Sequence, residues 1–308
     1  MNLKELVVRY ESVINPLVEM SKGVSYFALF LQPNPAFLES DEVNEEAFHE
    51  MSKVYVLGLV ERAHLSSITS LTRTSRWLSA ALVMAENKNI LGYSAAVRGF
   101  LEGAADAFDL MSVLPGSIAN AAPYWMIALH DPAMLKNKTI VFGELENKLI
   151  HYAYAGQVPK NTMPLPQHDK KTNAAYIRAI EAFGVPGAGE LYAECCELTH
   201  PASPSVMCFL DETEMEITFN PDRDSDLIED FERRHFEKIS LLAQYSINPA
   251  LISLALLGRL NEGYPMPSDS VISGIGGGRP TATVKKLEGF IRNYQSGRVD
   301  MTEVFRNA

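Results

Sequence analysis

Two segments of the chain carry side chains with chemistry in them. Arg98, Glu102 and Asp106 recur every four residues, a spacing that lines them along one face of a helix. About ninety residues later, Leu191–Pro201 reads Leu-Tyr-Ala-Glu-Cys-Cys-Glu-Leu-Thr-His-Pro and carries Glu194, Glu197 and His200. Pro201 disfavours helical geometry at the residue before it, so the helix is expected to stop at His200, with the imidazole beside the first irregular residues. An imidazole titrates near neutral pH, and a guanidinium grips phosphate through its planar fork. If the two segments meet, His200 is the acid–base group, Arg98 stabilises a phosphate, and Glu102 with Glu197 orient them. The structural alternative is an Arg98–Glu102 ion pair inside one helix, which on an exposed surface is worth about 0.2–0.5 kcal/mol. Ala95, Ala96, Gly99, Gly103, Ala104, Ala105 and Ala107 surround that stripe. The face is therefore packed, and charge on a packed face needs partners.

Other arrangements are weaker. Cys195, Cys196, His200 and Cys208 could be read as a zinc set, but adjacent cysteines project about 100° apart on a helix, and zinc pairs usually leave two to four residues between them. A carboxylate metal site from Glu102, Glu197, His200 and Asp106 offers only one Glu-x-x-His pair where a dinuclear site uses two. Cys196 precedes His200 by four residues, yet nothing supplies an oxyanion hole for a Cys–His nucleophile. Ser273–Thr281 is glycine-rich but lacks the Lys-Ser/Thr of a phosphate loop and follows no strand, so it reads as a tether. No cofactor and no metal is assigned. His235 falls in an apolar stripe and is expected to be a core or interface histidine bonded to backbone, while His49, His64, His130, His151 and His168 show no pattern.

The elements that must position the polar stripe are nearly all helical. Periodicity predicts helices over 3–31 (interrupted near Pro16), from about Val43 through His64, over 66–85 with Leu71, Trp77, Leu78, Leu82 and Val83 as core, and over 90–114 and 117–129. Gly99 and Gly103 inside the 90–114 helix cost roughly 1 kcal/mol each relative to alanine and so imply that something packs closely there. Further helices are expected over 142–155, 173–183, 222–244, 249–260 and 284–294, with a Pro-rich loop at 158–168. A single β-hairpin is expected near 205–219, pairing Val206–Leu210 with Met215–Phe219. The fold class that follows is mainly α, an antiparallel helical bundle with one small β-hairpin. The domain reading is a bundle over residues 1–262 and a Gly/Pro-rich linker with a C-terminal helix over 263–308.

Composition bounds the function. Hydrophobic residues make up 47% of the 308, enough for a continuous core, and the formal charge of −11 disfavours broad nucleic-acid or anionic-membrane binding. Three cysteines, two of them adjacent, make no disulfide framework. The expectation is a cytoplasmic protein, without a membrane partner, because the longest apolar run, 249–257, is too short to span a bilayer.

Arg98-Gly-Phe-Leu-Glu102 followed by Tyr192-Ala-Glu-Cys-Cys-Glu-Leu-Thr-His200-Pro201 resembles uncharacterised bacterial helical proteins related to the HEPN-like superfamily, over about residues 90–204. The resemblance implies a helical bundle, a homodimer, and a role in toxin–antitoxin or phage-defence systems, acting on RNA or nucleotides or working through a protein partner. Ribonuclease members of that superfamily carry an arginine four to six residues before a histidine on one helix. This chain departs from that pattern: no arginine stands there before His200, and Arg233-Arg234-His235 has the wrong spacing. Arg98 would have to supply the guanidinium from another helix. The alternatives are a non-catalytic scaffold whose polar cluster sets helix register, and a metal-dependent enzyme using the same carboxylates.

Overall fold

The computed structural model describes residues 1–26, 45–136, 138, 140–156, 166–201, 203–260, 263–275 and 279–307. The fold is mainly α with one two-stranded antiparallel hairpin. The first helix, expected over 3–31 with a break near Pro16, is Leu3–Met20 and runs through Pro16. Residues 27–31 of that expectation, the opening of the next helix near Val43, most of the 158–168 loop and the glycines 276–278 lie outside the described residues.

Contacts group the chain into two compact units, each assembled from separated segments: 1–16, 69–109 and 171–247 in the first, 17–68, 110–170 and 248–308 in the second. The expected boundary at residue 262 does not separate them. The stretch read as a tether belongs to the second unit, where Asp269–Gly274 forms a helix and Arg259 bonds both Asp269 Oδ1 at 2.6 Å and Glu288 Oε1 at 2.8 Å. Arg279–Gln295 lies against Leu114–His130, and a further helix, Met301–Asn307, went unforeseen.

In the first unit the core gathers Leu78, Tyr93, Phe100, Ile177, Ile180, Leu191, Phe231, Ile239 and Leu242, all buried. The Ile90–Met111 helix opens on the carboxylate of Asp224, whose Oδ1 accepts the Ile90 N–H at 2.7 Å, satisfying a donor that a helix start leaves orphaned. Its glycines have a packing cause. A Cβ on Gly99 would stand 2.7 Å from the Trp77 indole, and one on Gly103 would stand 3.2 Å from Arg73 Nε. Trp77 and Val83, expected in the core, are instead 40% and 47% exposed; Trp77 covers the glycine from the rim, with part of its ring in solvent.

Two expected helices, 222–244 and 249–260, are one: Asp224–Leu260 continues through Pro249. Among the described residues it is the one helix long and apolar enough to cross a membrane, and 67% of its apolar window is buried inside the protein. The hairpin also shifts. Val206 lies in the short Ser203–Met207 helix, and the strands are Leu210–Glu212 and Ile217–Phe219, paired Leu210 with Phe219. The alternation of Met215, Ile217 and Phe219 buries no face; all three are exposed.

Candidate functional site, an arginine–histidine cluster on the Ala188–Thr199 helix

The Ala188–Thr199 helix ends as its His-Pro step requires: His200 is the C-cap, with φ −90° and ψ 155°. Residues 192, 196 and 199 share one side of this helix, 190 and 194 the other, and Leu191 and Cys195 are buried. Each polar side faces a different helix of the first unit.

On the first side, Ile90–Met111 supplies Arg98. Its Nε donates to Glu102 Oε1 at 3.0 Å, and its Nη1 donates to Thr199 Oγ1 at 3.2 Å and to His200 Nε2 at 3.3 Å. Arginine has only donors, so His200 Nε2 is the acceptor and the ring proton sits on Nδ1. Tyr192 donates its hydroxyl to the same Glu102 oxygen at 3.0 Å, and the guanidinium lies 5.8 Å from the Tyr192 ring centroid. Burial raises the Tyr192 pKa, and Glu102 raises it further, so the phenol stays a donor. Burial works against the charge on Arg98, but the Glu102 bond together with the charges of Cys196, Glu102 and Tyr192 outweighs it, and the pKa is raised. The Arg98 side chain is 26% exposed and His200 is open to solvent.

Arg98, Glu102 and His200, distant in sequence, are therefore one cluster. Glu197 is not among its bonded partners: its side chain is exposed, on another side of the helix. The orienting positions belong to Tyr192 and Thr199. A helix wheel explains this, since Glu197 lies about 100° from Cys196 and about 200° from Thr199. Asp106 turns elsewhere and accepts from Arg73 Nη2 at 2.6 Å, while Asp109 pairs with Lys171 at 2.8 Å. Burial pushes the Cys195 thiol pKa up, which keeps it an inert thiol. Among the described residues no three of His, Cys, Asp and Glu gather closely enough to hold a metal ion.

The opposite side of the Ala188–Thr199 helix holds a network that the sequence reading missed. Glu194 accepts two bonds from Arg234, at 2.6 and 2.7 Å, and lies 2.8 Å from His235 Nε2. Lys238 Nζ lies 3.1 Å from His235 Nδ1, and Arg234 Nη1 lies 3.2 Å from its Nε2. His235 is buried as expected, but its partners are a carboxylate and an ammonium rather than backbone. The signal was the Arg234–His235–Lys238 spacing beside Glu194; nothing in one sequence pairs it with a helix forty residues away. Burial alone would raise the Glu194 pKa, yet the bonds from Arg234 and His235 lower it below the ordinary 4.5. Glu194→Gln is expected to cost about 1.5–3 kcal/mol at pH 7, the range for hydrogen bonds to charged groups. A lowered carboxylate pKa stabilises the fold above the unfolded value and loses that contribution as pH falls through the folded one. The gap between wild type and variant, read from urea unfolding, should therefore narrow below pH 4.5.

A second residue passed over in the sequence is His64, in the other unit. It is fully buried, with Nδ1 2.6 Å from the Tyr26 hydroxyl and its ring stacked on Tyr264 at 4.3 Å.

The chain matches no family model, no curated protein and no solved structure.

Proposed function

We propose that the Arg98–His200 cluster acts on the phosphate groups of RNA or nucleotides, in a HEPN-like defence or stress protein of the cytoplasm that works as a homodimer. The observation that carries this reading is the 3.3 Å approach of Arg98 Nη1 to His200 Nε2 across a hundred residues of sequence, with the imidazole open to solvent. A hydroxyl attacking phosphorus needs a base, and the added charge on the phosphoryl oxygens needs a cation. His200 Nε2 takes the hydroxyl proton once substrate draws Arg98 onto the phosphate; the new O–P bond forms as the bond from phosphorus to the leaving oxygen breaks, and the proton held on His200 passes to that leaving oxygen. Glu102, itself held by Tyr192, keeps the guanidinium oriented. No step in this scheme uses Glu197.

The second reading is a scaffold in which the cluster fixes helix register and activity resides in a partner protein. It is favoured by the pairing of Arg98 with Glu102 and Thr199, which leaves few donors uncommitted. One comparison separates the two: wild type and His200→Ala expressed in cells, scored for growth and RNA integrity, with helicity and thermal midpoint as fold controls. The enzyme reading expects arrested growth or cleaved RNA with wild type and their loss with the variant. Equal behaviour of two equally folded proteins overturns it and leaves the scaffold.

A further inference from the structure

We propose that the cleft lined by the Leu114–His130 and Arg279–Gln295 helices and by residues 298–304 binds a small planar aromatic anion. The cleft lies wholly within the second unit and encloses about 310 Å³. Ligand pockets run from roughly 300 to 1,000 Å³ and combine apolar walls with a few placed polar groups. A volume at the low end admits one or two rings.

The lining is divided as such a ligand requires. Pro123, Leu287, Phe290, Val299 and Val304 form the apolar part of the lining. Lys286 and Arg298 also line the cleft; both are exposed, and among the described residues neither has a carboxylate within ion-pair distance. The one acidic lining residue, Asp300, is engaged: its Oδ1 accepts the Thr302 N–H at 2.8 Å and caps the Met301–Asn307 helix. Two cations against one committed carboxylate, on a chain whose net charge is −11, select an anionic ligand. The side-chain amides of Asn120 and Asn293 and a backbone acceptor add direction. Pro123 sits inside its helix and has no N–H, so the carbonyl of Ala119, which also lines the cleft, lacks its usual helical donor.

Gly289 is part of the cleft lining. A Cβ built there meets nothing closer than Arg292 Nη2 at 3.8 Å. A side chain at this lining position starts from open space, and in mid-helix leucine or alanine is favoured over glycine. Glycine at this position thus costs stability and keeps space.

The test is direct binding by calorimetry, with thermal shift, on the full chain. The probes are benzoate, indole-3-acetate and phenyl phosphate, the neutral amides of the first two, and inorganic phosphate alone. At least one aromatic anion is expected to bind with a Kd below about 1 mM, its amide at least about tenfold more weakly, and phosphate alone no better than the amide. Gly289→Leu should raise or preserve the apo thermal midpoint while weakening that anion at least about tenfold, and Lys286→Met with Arg298→Met should weaken the anion but not the amide. The proposal is overturned if none of the anions binds wild type, if amide or phosphate matches them, or if folded Gly289→Leu binds as wild type does.

Discussion

Under the proposed mechanism, Arg98→Lys is expected to lower turnover of an RNA or nucleotide substrate by about 10²–10³-fold, the usual loss when one preorganised donor to a transition-state oxyanion is removed. The charge survives this substitution; the geometry does not. Arg98 places Nε on Glu102 and Nη1 toward Thr199 and His200 at the same time, which a planar fork can do and a single ammonium cannot. The fold should suffer far less. The Arg98–Glu102 pair is partly exposed on both sides, and such pairs contribute about 0–1 kcal/mol. Glu102 also keeps the Tyr192 hydroxyl as a donor. The scaffold reading expects the reverse pattern, with stability moving as much as any function does. A double-mutant cycle of Arg98→Lys and His200→Ala distinguishes them, since groups acting in one step couple by about 0.5–3 kcal/mol in activation free energy. Additive effects on rate, or wild-type turnover in Arg98→Lys, would remove the mechanism.

What could be read from one sequence follows the range of the interactions involved. The helix end at His200 was legible because Pro201 acts on its immediate neighbour, and Arg98 with Glu102 because their spacing is local. The glycines were legible as a demand for close packing, but not what packs there: Trp77 and Arg73 come from another helix. Tertiary pairing defeated the rest. Glu197 and Glu194 are the same residue type three positions apart, and only the positions of Arg98 and Arg234 decide that Glu194 is bound and Glu197 is not. Pro249 was read as a helix start, since proline lacks the N–H of a continuing helix. The flanking Ile247, Ala250 and Leu251 are buried, and that burial outweighs one lost hydrogen bond. The hairpin failed for the opposite reason: alternation predicts a buried face only when something covers it, and Met215, Ile217 and Phe219 remain exposed.

His64 carries the largest expected effect of pH on stability. Its ring is fully buried, stacks on Tyr264 and accepts from the Tyr26 hydroxyl, whose own pKa burial pushes up to about 12, helped by Glu61. Burial lowers the His64 pKa from 6.5 to about 4, against the backbone of Pro265, which raises it. Above pH 6.5 the imidazole is neutral whether the chain is folded or not, so the contribution is fully present. Between 6.5 and 4 the unfolded chain takes up a proton that the folded one refuses, and stability falls by about 3 kcal/mol from this residue alone. His64→Gln keeps a side chain able to meet Tyr26 but cannot titrate. It should cost stability at pH 8 through poorer stacking and then lose less as the pH drops. Unfolding free energies of both proteins, measured from pH 8 to pH 4, give the difference directly, and every carboxylate common to the two cancels. That difference must shrink by about 3 kcal/mol over the window, more than half a marginal protein's stability. A difference that stays flat with pH would mean that His64 takes up its proton in the folded state and that the stack on Tyr264 opens to water to allow it.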